Sequence, residues 1–304
     1  MFLSISDRGK GFICGIIAAV TYGMIPLFTV PLYDAGLNVN SVLTYRYIFA
    51  LISLALLMKM RSIPFGIKLK ELGSCAILGT CMAASSYFLF WSYELMDVGI
   101  ASTVLFTYPV FVAIIMSVFF RERISFLTVL SIAGAVGGVA LLSGGEGHVS
   151  WGGIFVVICS AVSYGVYIVL IKVLPVQRLT METMTLYNII FILPYFVIFQ
   201  LAEHGSIPML PTDPVSIVCI LALALVSTTL SLYTIGAAVR LVGATPAAIM
   251  GALEPVTGVL VGVLAQGEKM TWNLFTGLVV ILSAVMLIIC EKAILDFLSR
   301  RKSA

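Results

Sequence analysis

Charge is what this chain has least of: only 10% of its 304 residues are Asp, Glu, Lys or Arg. Soluble globular domains carry about 25%, so a water-exposed surface of ordinary extent is excluded. Histidine occurs twice, at His148 and His204, in connections between apolar runs, where both read as solvated. The six cysteines (Cys14, Cys75, Cys81, Cys159, Cys219, Cys290) lie inside apolar runs, and none has paired CxxC spacing. Neither a disulfide framework nor a metal site is indicated, and the thiols read as small packing residues. HExxH and GxSxG are missing, and no acids group with histidines inside the apolar segments. An intramembrane lipid-modifying enzyme would need such a cluster, so the chain does not read as an enzyme. The glycines of Gly144-Gly145-Glu146-Gly147 lack the lysine and the following helix of a phosphate loop. No bound cofactor and no ATP hydrolysis are expected. The net charge of +3 is small and gives no reason to expect a nucleic acid partner.

What is there is apolar: 61% of residues are hydrophobic, and the mean hydropathy is +1.14. This is the composition of an integral membrane protein. Ten apolar segments run roughly 11–33, 41–58, 72–93, 99–120, 124–143, 151–171, 184–202, 215–237, 245–265 and 273–290. The first is too long for a signal-peptide core and no small-residue cleavage site follows, so it reads as a retained helix. With the N-terminus inside, fifteen of the seventeen Lys and Arg fall in cytoplasmic segments. Lys269 alone falls on the other side, and Arg46 lies within a helix. Such a bias orients a membrane protein and places both termini in the cytoplasm.

One stretch, from Thr245 to Trp272, combines two costly features at mid-depth: the carboxylate of Glu254 and, next to it, Pro255. A charge in hydrocarbon costs at least ~2.5–3.5 kcal/mol. Pro255 has no N–H, so the carbonyl of Gly251 loses its helical partner and must find another inside the protein or in a cavity. The same stretch occurs 146 residues earlier: Pro255 matches Pro109, Glu268-Lys269 matches Glu122-Arg123, and Thr271-Trp272 matches Ser125-Phe126. At an offset of 142, Tyr22-Gly23 matches Tyr164-Gly165 and Tyr45-Arg46 falls opposite Tyr187-Asn188. The chain is a duplication, with a first repeat over 1–143, a linker over 144–150, and a second repeat over 151–304 that ends in a short cytoplasmic tail. An odd number of helices per repeat makes the second enter from the opposite face. The expected fold is therefore all-α, ten transmembrane helices in two inverted five-helix repeats, the plan of many secondary transporters.

These features resemble the EamA-type carriers of the drug/metabolite transporter superfamily, over essentially the whole chain. The likeness is carried by the two five-helix repeats and by a mid-helix proline in each fourth helix (Tyr108-Pro109-Val110; Glu254-Pro255-Val256). A glutamate follows near each exit (Arg121-Glu122-Arg123; Gly267-Glu268-Lys269). Arg46 is similar to the family's early arginine in the second helix, and Tyr22-Gly23 to its aromatic-glycine end of the first. Tyr108 stands where the second repeat has Glu254, so two paired carboxylates are not implied. The resemblance implies carriage of a small organic metabolite, often an amino acid, frequently outward.

Each candidate residue has two uses. Glu254 either accepts a proton or a substrate ammonium group, or ties the broken helix to a neighbour. Arg46 either snorkels to the near interface or meets a substrate carboxylate with its planar fork; a zwitterionic cargo would use both residues. Pro109 and Pro255 read as hinges or cavity-lining breaks. Tyr22, Tyr164, Tyr167, Trp91, Tyr108 and Tyr187 line a pocket or anchor helix ends at the interface, and Asn188 is the repeat-mate of Arg46. Ser85-Ser86 and Thr228-Thr229 suit helix–helix hydrogen bonds. The spacings Gly11/Gly15, Gly134/Gly138 and Gly258/Gly262 suit close packing, and a homodimer face is open to them. The expected protein is a multi-pass carrier of the inner or plasma membrane. Its partners are the lipid bilayer and a small-molecule substrate, with coupling to a proton or a counter-substrate left open. A channel-like facilitator is the alternative.

Overall fold

The computed structural model describes residues 6–96, 101, 104–142, 150–206, 210–265 and 270–302. Among these every regular element is a helix. In chain order they are α1 (Asp7–Gly23), α2 (Ile25–Asp34), α3 (Val39–Met60), α4 (Leu69–Leu95), α5 (Tyr108–Phe120) and α6 (Phe126–Leu142). Then come α7 (Trp151–Val173), a short 3-10 turn (Pro175–Arg178), α8 (Met181–His204) and α9 (Pro214–Ala224). A π turn (Leu225–Leu230) joins α9 to α10 (Ser231–Val242), followed by α11 (Ala244–Met250), α12 (Leu253–Ala265) and α13 (Trp272–Lys302). The pair Glu268-Lys269, the linker glycines and His148 lie outside the described residues.

Polar side chains mark where helices begin. Asn38, Ser150, Thr180 and Asp213 each accept a backbone N–H from three residues ahead, at 2.8 to 3.4 Å. They satisfy donors that the first turn leaves free. At Asp213 the Ser216 N–H also holds the carboxyl below its ordinary pKa. Gly243, at φ +96°, lets the chain turn from α10 straight into α11, a conformation glycine adopts at little cost.

Among the described residues seven helical spans are long and apolar enough to cross a membrane: Asp7–Asp34, Val39–Met60, Leu69–Leu89, Trp151–Val173, Met181–Glu203, Pro214–Val242 and Ala244–Val261. Three shorter apolar helices, Tyr108–Phe120, Phe126–Leu141 and Phe275–Cys290, fall in the other three apolar segments of the sequence. The protein is an all-helical, multi-pass membrane protein. Two edges differ from expectation. The first segment breaks at Met24, just ahead of Pro26, which has no N–H to offer a preceding turn. The last helix runs on past residue 290 to Lys302, because nothing between them is a glycine or proline.

Helices pair across the two halves of the chain rather than within them. α1 packs on α10, α4 on α7, α3 on α8, α5 on α11, and α6 on α13. In terms of the ten apolar segments these are the pairs 1–8, 3–6, 2–7, 4–9 and 5–10. Exchanging the halves, so that segment 1 becomes 6 and 2 becomes 7, returns the same set. Boundaries repeat as well: α6 and α13 begin at Phe126 and Trp272, and α5 and α12 each have 13 residues. Glycine sets the closest crossings. A side chain at Gly138 would collide with Ile281 of α13, and one at Gly11 with Leu241 and Val242 at the end of α10. Gly258 is not used in this way, since a Cβ there would have only the Gly23 carbonyl near it, at 4.0 Å.

Candidate functional site

The break between α11 and α12 is the natural place to begin. Gly251 and Ala252 form a turn there, with Gly251 N–H donating to the Ala248 carbonyl (3.1 Å) and Ala252 N–H to Ile249 (3.1 Å). The Gly251 carbonyl, which Pro255 cannot serve, instead accepts from the Glu254 N–H at 2.9 Å. The orphan is thus satisfied within the break, and α12 restarts with Glu254 in its first turn. The first half has the same device one residue later in register: a turn at Phe106 and Thr107, with Thr107 N–H donating to Val104 and Val110 N–H to Thr107. Pro109 and Pro255 therefore each sit at the start of a resumed helix rather than in the middle of an unbroken one.

The two breaks interlock. Tyr108, 2% exposed, reaches from the start of α5 into the other break and donates its hydroxyl to the Ala248 carbonyl (3.0 Å). Any side chain at Gly251 would occupy the place of that hydroxyl. Tyr164 of α7 meets the Tyr108 ring edge-on at 4.7 Å, and Tyr167 stacks beyond it at 6.0 Å. The Glu254 carboxylate and Tyr22 lie within electrostatic range of both Tyr108 and Tyr164. Tyr22, Tyr164 and Glu254 all keep accessible surface, whereas Tyr108 and Tyr167 are fully packed. The end of α1 presses close here: a side chain at Gly23 would strike the Glu254 backbone and Thr257.

Arg46 approaches the same place from α3. It is 5% exposed, so it is turned into the protein rather than snorkelling outward. Its Nε donates to the Thr228 hydroxyl and its Nη2 to the Ser227 carbonyl (3.2 Å), both on the π turn. That turn exposes the needed oxygens because Thr228 and Thr229 hydroxyls bond carbonyls five residues back, Leu223 (2.8 Å) and Ala224 (2.9 Å). The guanidinium carbon stands 5.5 Å from the ring centres of both Tyr22 and Tyr47. Tyr47 is in turn stacked flat on Phe196 at 5.4 Å. Two of the five N–H groups of a guanidinium are used, and among the described residues no carboxylate pairs with it. A buried cation without a counter-charge is costly. Rings and hydroxyls offset part of that cost, and a planar fork remains for an anion.

The structure therefore gathers Tyr22, Arg46, Tyr108, Tyr164 and Glu254 into one cluster, with Tyr167 and Asn188 behind it. Tyr22 is the common neighbour of Arg46 on one side and of the Glu254–Tyr108–Tyr164 group on the other. Trp91 is not brought there: it lies 43% exposed beside Tyr87. Tyr187 also stands apart, its hydroxyl donating to the Phe65 carbonyl (2.9 Å) in the connection between α3 and α4. Ser85 pairs with Ser160 across α4 and α7 (3.1 Å), a helix–helix bond as expected, whereas Thr228 serves Arg46. Sequence reasoning missed Tyr47 and the Arg46–Ser227 contact. Adjacent residues such as 46 and 47 diverge around a helix, and a π turn leaves no mark in composition. Among the described residues no group of His, Cys, Asp and Glu is placed to hold a metal ion.

Comparison with known proteins bears on the family and the fold. A family model described as the EamA-like transporter family matches residues 9–144 and again 151–290. One solved crystal structure, described only as that of a protein, superposes with a TM-score of 0.79 at 16% identity, covering 98% of this chain and 100% of its own. At that identity the likeness is one of fold. No curated protein matches.

Proposed function

Because this chain belongs to the EamA-like transporter family, we propose that it is a secondary carrier that moves a small zwitterionic metabolite, amino acids first, out of the cell. Ten helices cross the membrane as two inverted five-helix repeats, over 1–143 and 151–304 with a linker at 144–150, and both termini are cytoplasmic. The bias of fifteen cationic residues against one supports this orientation. The exchange-symmetric helix pairing supports an alternation between two related packings, inward-open and outward-open.

The observation that carries the reading is Arg46, a buried cation that, among the described residues, has unused donors and no carboxylate partner, and that shares Tyr22 with the carboxylate of Glu254. Opposite charges held apart in a bundle core suit a cargo that carries both. A cargo carboxylate takes the open side of the Arg46 fork, and its ammonium group faces Glu254 and the tyrosine rings. The energy for movement comes from gradients of cargo, protons or a counter-substrate. Purified protein in liposomes tests this: preloaded unlabelled amino acid should drive transient, saturable accumulation of the labelled one. Flux that rises linearly with concentration and shows no counterflow would instead identify a channel-like facilitator.

A further inference from the structure

Asn188 is buried on α8, with 1% of its surface accessible, and neither end of its amide makes a well-formed hydrogen bond to a described residue. The Tyr167 hydroxyl, fully buried, faces that amide closely enough to interact with it, and it too lacks a well-formed hydrogen bond to any described residue. Buried amides and phenols nearly always have partners, and one without carries its full desolvation penalty.

Its place in the duplication gives the vacancy of bonding a meaning. Asn188 is the mate of Arg46 and Tyr164 the mate of Tyr22, both at the 142-residue offset, and Tyr108 is the mate of Glu254 at 146. The charged group Tyr22–Arg46–Glu254 thus has a neutral copy, Tyr164–Asn188–Tyr108. That copy adjoins the same cluster: Tyr108 touches Tyr164, which stacks on Tyr167, which faces Asn188. The duplicated site has kept polarity in both copies and charge in one.

We infer that Asn188, with the Tyr167 hydroxyl, is an uncharged subsite for the far end of the cargo, recognising a group that both donates and accepts, such as a carboxamide or hydroxyl. An amide presents one donor edge and one acceptor edge side by side, and a phenol can serve as either. The inference rests on the reading of Arg46 and Glu254 as the charged end, and it makes the cargo a zwitterion with a polar tip.

Asn188→Leu and Tyr167→Phe remove the hydrogen-bonding groups at nearly constant volume, and two measurements judge them. In the empty detergent-solubilised protein each substitution should raise Tm, by roughly 2–4 °C, because an unpaired group is deleted. A fall in Tm would mean that the group is structurally engaged, and would overturn the subsite whatever the cargo. In counterflow with matched pairs, glutamine against methionine and tyrosine against phenylalanine, the native protein should favour the polar member by at least ~10-fold. Asn188→Leu should carry both members alike; an unchanged ratio overturns the inference. Failure of the underlying reading looks different: Arg46→Lys would then leave transport of all four amino acids intact.

Discussion

Tyr108 and Gly251 occupy one space: the hydroxyl of the first lies where a side chain on the second would have to be. The two residues come from different repeats, so this contact binds the broken fourth helix of one half to the broken fourth helix of the other. Gly251 is kept bare by that neighbour, since its own backbone, at φ −56° and ψ −21°, is open to any residue.

Gly251→Ala should therefore destabilise the protein by ~1–3 kcal/mol, the usual cost of overfilling a packed core. Tyr108→Phe alone should cost about 1 kcal/mol, for one hydrogen bond. Combined, the two should cost less than their sum, because the phenyl ring gives the new methyl group room. Thermal unfolding of the four proteins in one detergent checks this double-mutant cycle. Strict additivity would mean that the two residues do not share the space.

How much of this was legible beforehand follows from what repeats leave in a sequence. Pro109 and Pro255, at matched positions, announced the two breaks, and the structure puts a turn beside each. Arg46 and Glu254 stood out because charges in apolar runs are costly. Their surroundings were not legible. Trp91 and Tyr164 are both aromatic residues in apolar helices, yet Trp91 faces outward and Tyr164 the cluster. Apolar surroundings on every side erase the helical periodicity that would tell one face from another. The π turn was hidden for a different reason. It is stabilised by Thr228 and Thr229 hydroxyls, which in an ordinary helix would reach back one residue less.

Arg46 depends on that turn, which leads to a prediction about Thr228. Thr228→Val keeps the shape but removes the oxygen that Arg46 Nε uses, and should cost ~1.5–3 kcal/mol as a lost hydrogen bond to a charged group. Arg46→Lys keeps the charge but not the fork. It should insert normally and yet cut amino-acid counterflow by about tenfold or more, or ~1.4 kcal/mol of transition-state stabilisation. Normal counterflow by Arg46→Lys would remove the guanidinium from the binding role assigned to it.

Glu254→Gln separates a carboxylate that titrates or meets an ammonium group from one that merely plugs a helix break. The break itself is closed by backbone bonds, Glu254 N–H to Gly251 among them, and these survive the substitution. Folding and membrane insertion should be unchanged, while transport falls at least about tenfold or loses its dependence on pH. Native rates across the pH range would leave the side chain with a structural use only.

Topology supplies the last prediction, and it is independent of any cargo. If the repeats are inverted, the connection before α4 and the connection before α7 must lie on opposite faces, because an odd number of crossings separates them. Lys68 immediately precedes α4 and Ser150 immediately precedes α7. Single cysteines placed at these two positions, in a background cleared of the six native thiols, should react with a membrane-impermeant maleimide from opposite sides. Ser150→Cys should label in intact cells or right-side-out vesicles, and Lys68→Cys only after the membrane is opened. Labelling of both from one side would require an even number of crossings between them. The two bundles would then stand parallel, with no two-fold axis in the membrane plane to exchange inward-open and outward-open packings, and the proposed alternation would have no structural basis.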